Sequence, residues 1–263
     1  MRYLDKKHAL VIFSGGQDST TCLGWAKSRY EKVTAISFVY GQKHDCEIKQ
    51  AKKIAQSMDV EHHIIEADFF GGLVNSVLTH NGDVNAAHED NAALPASFVP
   101  NRNAFFITLA HAFAQKINAG VLITGTCETD FSGYPDCRRV FIDAICMALN
   151  LGSDTNIVVE TPLMYIDKAD TFKLALDENC LLEVLHLSHT CYNGTEQMND
   201  YGRGCGVCPA CELRARGYDE FVKRYPSNIV ENMHMFLEHA TFTPEEKAET
   251  LRQVAGIAPF DKV

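Results

Sequence analysis

The chain has 263 residues, of which 46% are hydrophobic, and this is enough for one domain, or one domain with an appendage, around a full core. Its formal net charge of −10 argues against a nucleic-acid partner, because non-specific binding of that kind needs lysines and arginines that displace counterions. Small anionic substrates are compatible with this charge, since a local loop can be electropositive on an acidic protein.

The N-terminal segment, residues 1–7, lacks the hydrophobic core of a signal peptide. No apolar stretch reaches the roughly 18 residues that a membrane span requires. Ten cysteines in such a chain are more typical of metal ligands, catalytic groups or core thiols than of disulfides. We therefore expect a cytoplasmic protein without a membrane partner.

Strand-like and helix-like segments alternate over the first two thirds of the chain. Apolar runs predict strands at residues 8–13, 33–39, 62–66, 121–124 and 157–160. Helical spacing of apolar residues predicts helices at 19–27, 45–58, 69–78 (the weakest), 103–116, 138–149 and 168–178. This alternation is typical of βαβ units, so we expect an α/β fold with a Rossmann-like, doubly wound parallel sheet.

Ligands of such sheets bind beyond the carboxyl ends of the strands. Polar segments follow four of the predicted strand ends, beginning at Ser14, Tyr40, Thr124 and Thr161. We therefore expect these four segments to converge on one site.

The first of these segments, residues 14–20, reads SGGQDST. A Gly-Gly turn between a strand and a helix brings backbone N–H groups and a helix N-terminus to one point, which attracts phosphate. Ser14, Ser19 and Thr20 add hydroxyl donors, and Asp18 can hold a magnesium ion. The segment lacks the lysine of a Walker A loop and the spacing of the dinucleotide fingerprint. A glycine-rich turn without a ligand is the less favoured alternative.

A second unusual segment, residues 125–138, follows the strand at 121–124. Its carboxylates could accept hydrogen bonds from a purine-like base while Phe131 or Tyr134 packs on the face of the ring. A solvated loop explains the same residues equally well. The charged residues of the segment are Glu128, Asp130, Asp136 and Arg138.

Two basic residues lie at predicted helix starts. Asn103 is predicted to cap the helix at 103–116, and Arg102 beside it is either a surface charge or a ligand of phosphate or carboxylate. Lys168 is likewise either a surface lysine or a phosphate ligand.

Four cysteines in a polar stretch form the cluster Cys191, Cys205, Cys208 and Cys211. The C-x-x-C-x-x-C spacing suits tetrahedral zinc, and we predict a structural zinc ion, with an iron–sulfur cluster as the alternative. His189 is a possible substitute ligand. Buried free thiols are expected for most of the other six, which are Cys22, Cys46, Cys127, Cys137, Cys146 and Cys180.

Six segments together resemble the 7-cyano-7-deazaguanine synthase family of N-type ATP pyrophosphatases. They are SGGQDSTTC at 14–22, YGQKH at 40–44, VPNRN at 99–103, TGTCETDFSGYPDCR at 124–138, TPLMYIDKAD at 161–170 and TCYNG…CGVCPAC at 190–211. The similarity covers residues 10–217. The interval between Cys191 and Cys205 and the helical tail after residue 226 look longer than is usual in the family.

The resemblance implies an ATP-dependent ligase that converts 7-carboxy-7-deazaguanine and ammonia into 7-cyano-7-deazaguanine, the precursor of queuosine. The carboxylate would be adenylated, ammonia would give an amide, and a second adenylation would let the amide dehydrate, with release of AMP and pyrophosphate. ATP as cosubstrate, Mg²⁺, structural Zn²⁺ and a homodimer are the associated expectations. No stretch resembles a glutaminase domain, so free ammonia is the expected nitrogen donor.

The resemblance also implies a fold and site residues. The fold is the pyrophosphate-loop (PP-loop) type, similar to the adenine nucleotide alpha hydrolases, at residues 1–186, followed by a zinc-binding segment at 187–217 and a helical C-terminal extension at 218–263. Asp18 and Ser19 are expected to be catalytic. The ATP-binding residues would be Phe13, Ser14, Gly15, Gly16, Gln17, Asp18, Ser19, Thr20, Thr21, Cys22 and Leu23. The substrate residues would be Arg102, Glu128, Asp130, Asp136, Arg138 and Lys168.

Two other classes of protein are the alternatives. A tRNA-thiolating PP-loop enzyme would require a basic RNA-binding surface, and the net charge of −10 disfavours such a surface. A zinc-dependent binding module without catalysis would leave the SGGQDST segment unexplained.

Overall fold

The computed structural model describes residues 2–42, 46–79, 82–83, 86–88, 94–129 and 134–226. Its centre is a five-stranded sheet in the order β3-β2-β1-β4-β5, in which every neighbouring pair is parallel. The strands are β1 (Asp5–Ile12), β2 (Lys32–Val39), β3 (Glu61–Glu66), β4 (Ala119–Ile123) and β5 (Val158–Glu160). The strand order reverses between β1 and β4, which makes their carboxyl ends a switch point where α/β sheets bind ligands.

Helices cover both faces of the sheet, as the doubly wound prediction requires. They are α1 (Gln17–Lys27), α2 (Cys46–Ser57), α3 (Arg102–Ile117), α4 (Arg139–Ser153), α5 (Lys168–Asp177) and α6 (Pro209–Arg224). A π-helical turn, Glu183–Leu187, and a two-stranded antiparallel hairpin, β6 (Met198–Asn199) with β7 (Gly202–Arg203), lie between α5 and α6.

Successive residues of β1 enter different cores, because side chains alternate across a strand. Ala9 and Val11 join a core formed with α1, α2, α5 and α6, whereas Leu10 joins a core formed with α3 and α4. All three are fully buried. The continuous apolar run is therefore the signature of a strand covered on both faces, and the predicted α/β class is confirmed.

The helix expected at 69–78 is wrong: the chain forms only a 3₁₀ segment, Asp68–Leu73. Gly71 and Gly72 weaken a helix there, and a Cβ on Gly71 would lie 2.7 Å from the carbonyl oxygen of Tyr40. Phe70 instead stacks on Phe105 of α3, with ring centroids 4.2 Å apart. Tertiary packing therefore overrides the local pattern.

The cap expected at Asn103 is also wrong. Helix α3 begins one residue earlier, after Asn101, which has a left-handed backbone with φ of 58°. The sequence also predicts a helical start at Thr243, from a threonine cap followed by Pro244 and Glu246, but these residues lie outside the described ones. Within them, no helix is long and apolar enough to cross a membrane.

His62 on β3 gives a testable pH dependence. Its Nε2 lies 2.7 Å from the Ser37 hydroxyl, and burial, followed by the neighbouring His63 and Lys52, lowers the pKa of His62 from 6.5 to about 4. Between these two pH values the His62 imidazole is protonated in the unfolded chain but neutral in the folded chain. The free energy of unfolding therefore falls as the pH drops from 6.5 towards 4. At pH 5 we expect this loss to be about 1 kcal/mol after allowance for solvent screening.

Urea unfolding at pH 7.5 and pH 5 measures this contribution. The His62→Gln variant should lose about 1 kcal/mol less than the parent between the two pH values. Equal losses in parent and variant would contradict the assignment to His62.

Candidate functional site

The loop between β1 and α1 is closed by its own hydroxyl groups. The Ser14 N–H donates to Ser19 Oγ at 3.2 Å, and the Gly16 N–H donates to Ser14 Oγ at 3.2 Å. The Thr20 hydroxyl donates to the carbonyl of Gly16 at 2.8 Å. No side chain caps α1 at Gly16, so the first turn of the helix presents its N–H groups at the sheet's switch point.

Helix α2 packs directly behind this loop. Gly15 has a φ of +84°, and a Cβ there would lie 2.5 Å from the Glu47 carbonyl oxygen and 2.8 Å from the Ala51 nitrogen. The loop therefore requires glycine at this position both for its backbone conformation and for the close approach of α2.

Gly15→Ala is expected to lower the free energy of unfolding by about 2–3 kcal/mol, because backbone strain and a backbone collision act together. Urea denaturation measures this. Gly72→Ala is a matched control, since a Cβ on Gly72 would meet nothing within 4 Å. Similar stabilities for the two variants would show that α2 can move away from the loop at little cost.

Asp18 and Lys168 meet at the mouth of the loop. The Lys168 Nζ donates to both carboxylate oxygens of Asp18 at 2.7 Å, although the two residues are 150 positions apart. The Asp18 side chain is 30% exposed, so its carboxylate is still accessible from the cavity. Lys168 therefore lies inside the site, beside the loop, rather than on the outer surface.

A cavity of about 270 Å³ opens in front of this pair. Three of the four expected strand ends line it, with Ser14, Tyr40 and Thr124. Thr161 is not a lining residue, and its hydroxyl instead accepts a hydrogen bond from Arg139 at 3.1 Å. Lys168 of the same segment does line the cavity, so the expected convergence at the switch point holds for all four segments.

The predicted site residues divide between the cavity and its supports. Those that line the cavity are Phe13, Ser14, Gln17, Asp18, Ser19, Arg102 and Lys168. Behind them, Thr20, Thr21, Cys22 and Leu23 are buried.

Two of the predicted substrate residues hold helix starts. The carboxylate of Asp136 accepts a hydrogen bond from the Asn103 N–H at 3.0 Å, and that of Glu128 accepts one from the Arg139 N–H at 3.0 Å. Arg138 is exposed. None of these three lines the cavity, and Asp130 lies outside the described residues.

The four clustered cysteines come together as a possible metal centre. Their sulfur atoms all lie within 4.8 Å of one another, and Cys208 precedes the first residue of α6. Tetrahedral Zn–S bonds of about 2.3 Å place sulfurs about 3.8 Å apart, so this donor set fits such an ion. A Cβ on Gly204 would collide with the Cys211 sulfur, so glycine is needed where the chain passes the cluster. His189 is not part of the cluster, and its Nε2 lies 3.0 Å from the Thr195 carbonyl.

The segment that carries the four cysteines also supports the loop. The His189 N–H donates to the Gly15 carbonyl at 2.9 Å, and the Thr190 hydroxyl lies 3.4 Å from the Gln17 nitrogen. Arg214 of α6 is buried and donates to the Thr190 hydroxyl at 3.2 Å. Burial lowers the pKa of Arg214 to about 10, which still leaves a cation at neutral pH.

Several lining residues were not anticipated from the sequence, namely Glu47, Thr190, Tyr192 and Arg214. One signal was available for Arg214, because it stands three residues after Cys211 and so shares a helix face with a predicted ligand. The sequence contains no comparable signal for Glu47, because a glutamate in the first turn of a helix is ordinarily explained by its favourable interaction with the helix dipole.

The fold and the site define the class: an α/β protein with the nucleotide-binding PP-loop of the N-type ATP pyrophosphatases. A family model described as "Queuosine biosynthesis protein QueC" matches residues 8–222, so the chain belongs to this family, as the sequence motifs predicted.

Two curated relatives with high sequence identity to this chain are both named 7-cyano-7-deazaguanine synthase. The chain is 51% identical over 221 residues to the 7-cyano-7-deazaguanine synthase of Wolinella succinogenes, covering 83% of this chain and 95% of that protein. It is 45% identical over 219 residues to the protein of that name from Lysinibacillus sphaericus, covering 83% and 97%. Among solved structures, a 4-thiouridine synthetase–RNA complex with bound ATP matches at a TM-score of 0.46 and 16% identity, over 87% of this chain and 53% of that chain. This last similarity is too low to bear on function.

Proposed function

We propose that this protein is a 7-cyano-7-deazaguanine synthase, an ATP-dependent ligase acting on small molecules in queuosine biosynthesis. The observation that carries the proposal is the family match over residues 8–222, which includes both the PP-loop and the four cysteines. The cavity supports it, because the loop and a set of charged and aromatic side chains line one space.

The reaction needs ATP twice. The substrate carboxylate attacks the α-phosphorus and pyrophosphate leaves, after which ammonia displaces AMP and gives the amide. The amide oxygen then attacks the α-phosphorus of a second ATP and a second pyrophosphate leaves. Loss of AMP and of two N–H protons from the adenylated amide gives the nitrile. Each displacement places negative charge on pyrophosphate or AMP, so the groups that hold this charge matter most.

The chain provides such groups at the loop. We propose that the loop at residues 14–19 binds the β- and γ-phosphates through those of its N–H groups that have no partner within the loop and through the hydroxyls of Ser14 and Ser19. Asp18 would contribute a carboxylate to Mg²⁺, which is commonly bound by one or two carboxylates together with substrate phosphates. Lys168 would then exchange its contact with Asp18 for one with phosphate, and the buried Arg214 would add fixed positive charge.

For the substrate, we propose that Arg102 binds an anionic or carbonyl group in the cavity. Glu128, Asp130, Asp136 and Arg138 stay predicted substrate residues. The contacts of Asp136 and Glu128 with the starts of α3 and α4 suggest that these two act by holding the cavity wall.

The remaining assignments concern assembly. We propose that Cys191, Cys205, Cys208 and Cys211 hold structural Zn²⁺, since four thiolates close the coordination sphere. We also propose three segments, with boundaries at residues 1–186, 187–217 and 218–263. The protein is further proposed to be a cytoplasmic homodimer that has no nucleic-acid partner.

The test supplies purified protein with ATP, Mg²⁺, ammonium and 7-carboxy-7-deazaguanine. Mass spectrometry should find the nitrile, and nucleotide chromatography should find two AMP for each nitrile formed. Release of ADP, or consumption of ATP without nitrile, would contradict the proposal. A gel shift with tRNA would favour the thiolating alternative.

A further inference from the structure

The Glu47 carboxylate lines the cavity and has no hydrogen-bonding partner within the part of the chain that the structure describes. Glu47 lies in the first turn of α2 and lines both the main cavity and a smaller one of about 70 Å³ that continues towards Cys191. Among the described residues, its carboxylate forms no hydrogen bond or ion pair. Burial raises the pKa of Glu47 from 4.5 to about 7, so the protein bears an energetic penalty for this charge. A buried carboxylate normally has a hydrogen-bonding partner. Because Glu47 lines the cavity, a ligand bound there could be that partner.

A cation stands across the same space. Arg102 also lines both cavities, yet it forms no salt bridge with Glu47 in the part of the chain that the structure describes. Arg102 instead donates a hydrogen bond to the Tyr40 hydroxyl, so the cavity wall includes Glu47 and a cation that is not paired with it. A ligand with donors at one edge and an acceptor or a negative charge at another matches this arrangement.

Aromatic side chains form part of the wall of the same cavity. Tyr40, Tyr134 and Tyr192 line the cavity, and the Tyr134 hydroxyl lies 2.7 Å from Ser97 Oγ and 3.5 Å from the Tyr192 hydroxyl. These contacts join three separate segments of the chain and hold the rings in place. A flat, bicyclic ligand can pack against such walls with little loss of side-chain freedom.

We propose that Glu47 reads the donor edge of the deazapurine, accepting hydrogen bonds from its ring N1–H and its exocyclic 2-amino group. This inference rests on the proposed function, because 7-carboxy-7-deazaguanine has both that edge and acceptors that suit Arg102. A carboxylate has acceptors only, so it selects a guanine-like edge over the adenine-like edge, which has an unprotonated ring nitrogen. Glu47 would therefore determine which base enters.

Calorimetric titration without ATP tests the inference apart from turnover. Glu47→Gln should weaken binding of 7-carboxy-7-deazaguanine by about 10–100-fold, the usual effect of losing hydrogen bonds to a charged group. The analogue that lacks the 2-amino group should bind the parent more weakly by about tenfold or more, but should bind Glu47→Gln almost as well as the full substrate does. Glu31→Gln, an exposed glutamate paired with Lys7, is the matched control and should leave affinity unchanged.

Two results would overturn the assignment of Glu47. The first is that Glu47→Gln binds 7-carboxy-7-deazaguanine with the parent's affinity while the parent protein makes the nitrile. The other is a KM change confined to ammonium, which would make Glu47 an ammonium site. If Glu47→Gln fails to fold, Glu47→Asp serves instead, since it keeps the charge but withdraws it by one methylene. Absence of both binding and nitrile in the parent would overturn the proposed function as well, so the two failures are distinguishable.

Discussion

Asp18→Asn is expected to lower the rate of pyrophosphate release by about 10²–10³-fold, the usual range for removing one electrostatic group at a reacting centre. Asparagine has nearly the same shape, but it lacks the negative charge that faces Lys168 and that Mg²⁺ would need. The effect should fall on kcat, because the loop N–H groups proposed to bind phosphate are unchanged. A continuous pyrophosphate assay at saturating ATP and acid measures it.

Asp177→Asn is the matched control for this prediction. Asp177 lies at the other end of α5 from Lys168 and forms an ion pair with Lys173. The Asp177 side chain is 46% exposed. An exposed pair of this kind contributes little, so its loss should change the rate by less than about twofold. A parental rate for Asp18→Asn would show that the loop works without this carboxylate, whereas absence of pyrophosphate release from the parent would favour the zinc-dependent binding module.

Cys208→Ser is expected to remove the bound metal and to lower the free energy of unfolding by at least about 3 kcal/mol, because the binding energy of a structural metal is folding energy. Cys208 is buried beside the other three sulfurs, at the start of α6. Elemental mass spectrometry should find about one zinc per parent chain and much less in the variant. Urea denaturation measures the stability.

The control for this second prediction is Cys146→Ser. Cys146 is a half-buried free thiol of α4, outside the cluster, so its replacement should keep the metal and most of the stability. Chelation of the parent should reproduce the Cys208→Ser result. An iron–sulfur absorbance band in anaerobically purified protein would contradict zinc, and full stability of Cys208→Ser would contradict a structural role.

The parts of this molecule that could be predicted from its sequence are those set by local pattern. Apolar runs located the strands, because a strand covered on both faces must be apolar throughout. Spacing located the cysteine cluster, and a strand–turn–helix motif located the loop. Each of these signals lies within about twenty consecutive residues.

The parts that escaped prediction depend on contacts between distant residues. The partner of Asp136 is a backbone N–H 33 positions away, so the acid could not be recognised as the support of α3. The 69–78 helix failed because Gly71 meets Tyr40 across the fold. Glu47 is set apart from other first-turn glutamates only by the cavity that α2 happens to face.

The support that His189, Thr190 and Arg214 give to the loop has a consequence for synthesis of the chain. The loop itself is complete within the first 20 residues, but its backing and one wall of its cavity come from residues 189–214. A nascent chain therefore lacks the backing of the loop and one wall of the cavity until α6 has left the ribosome.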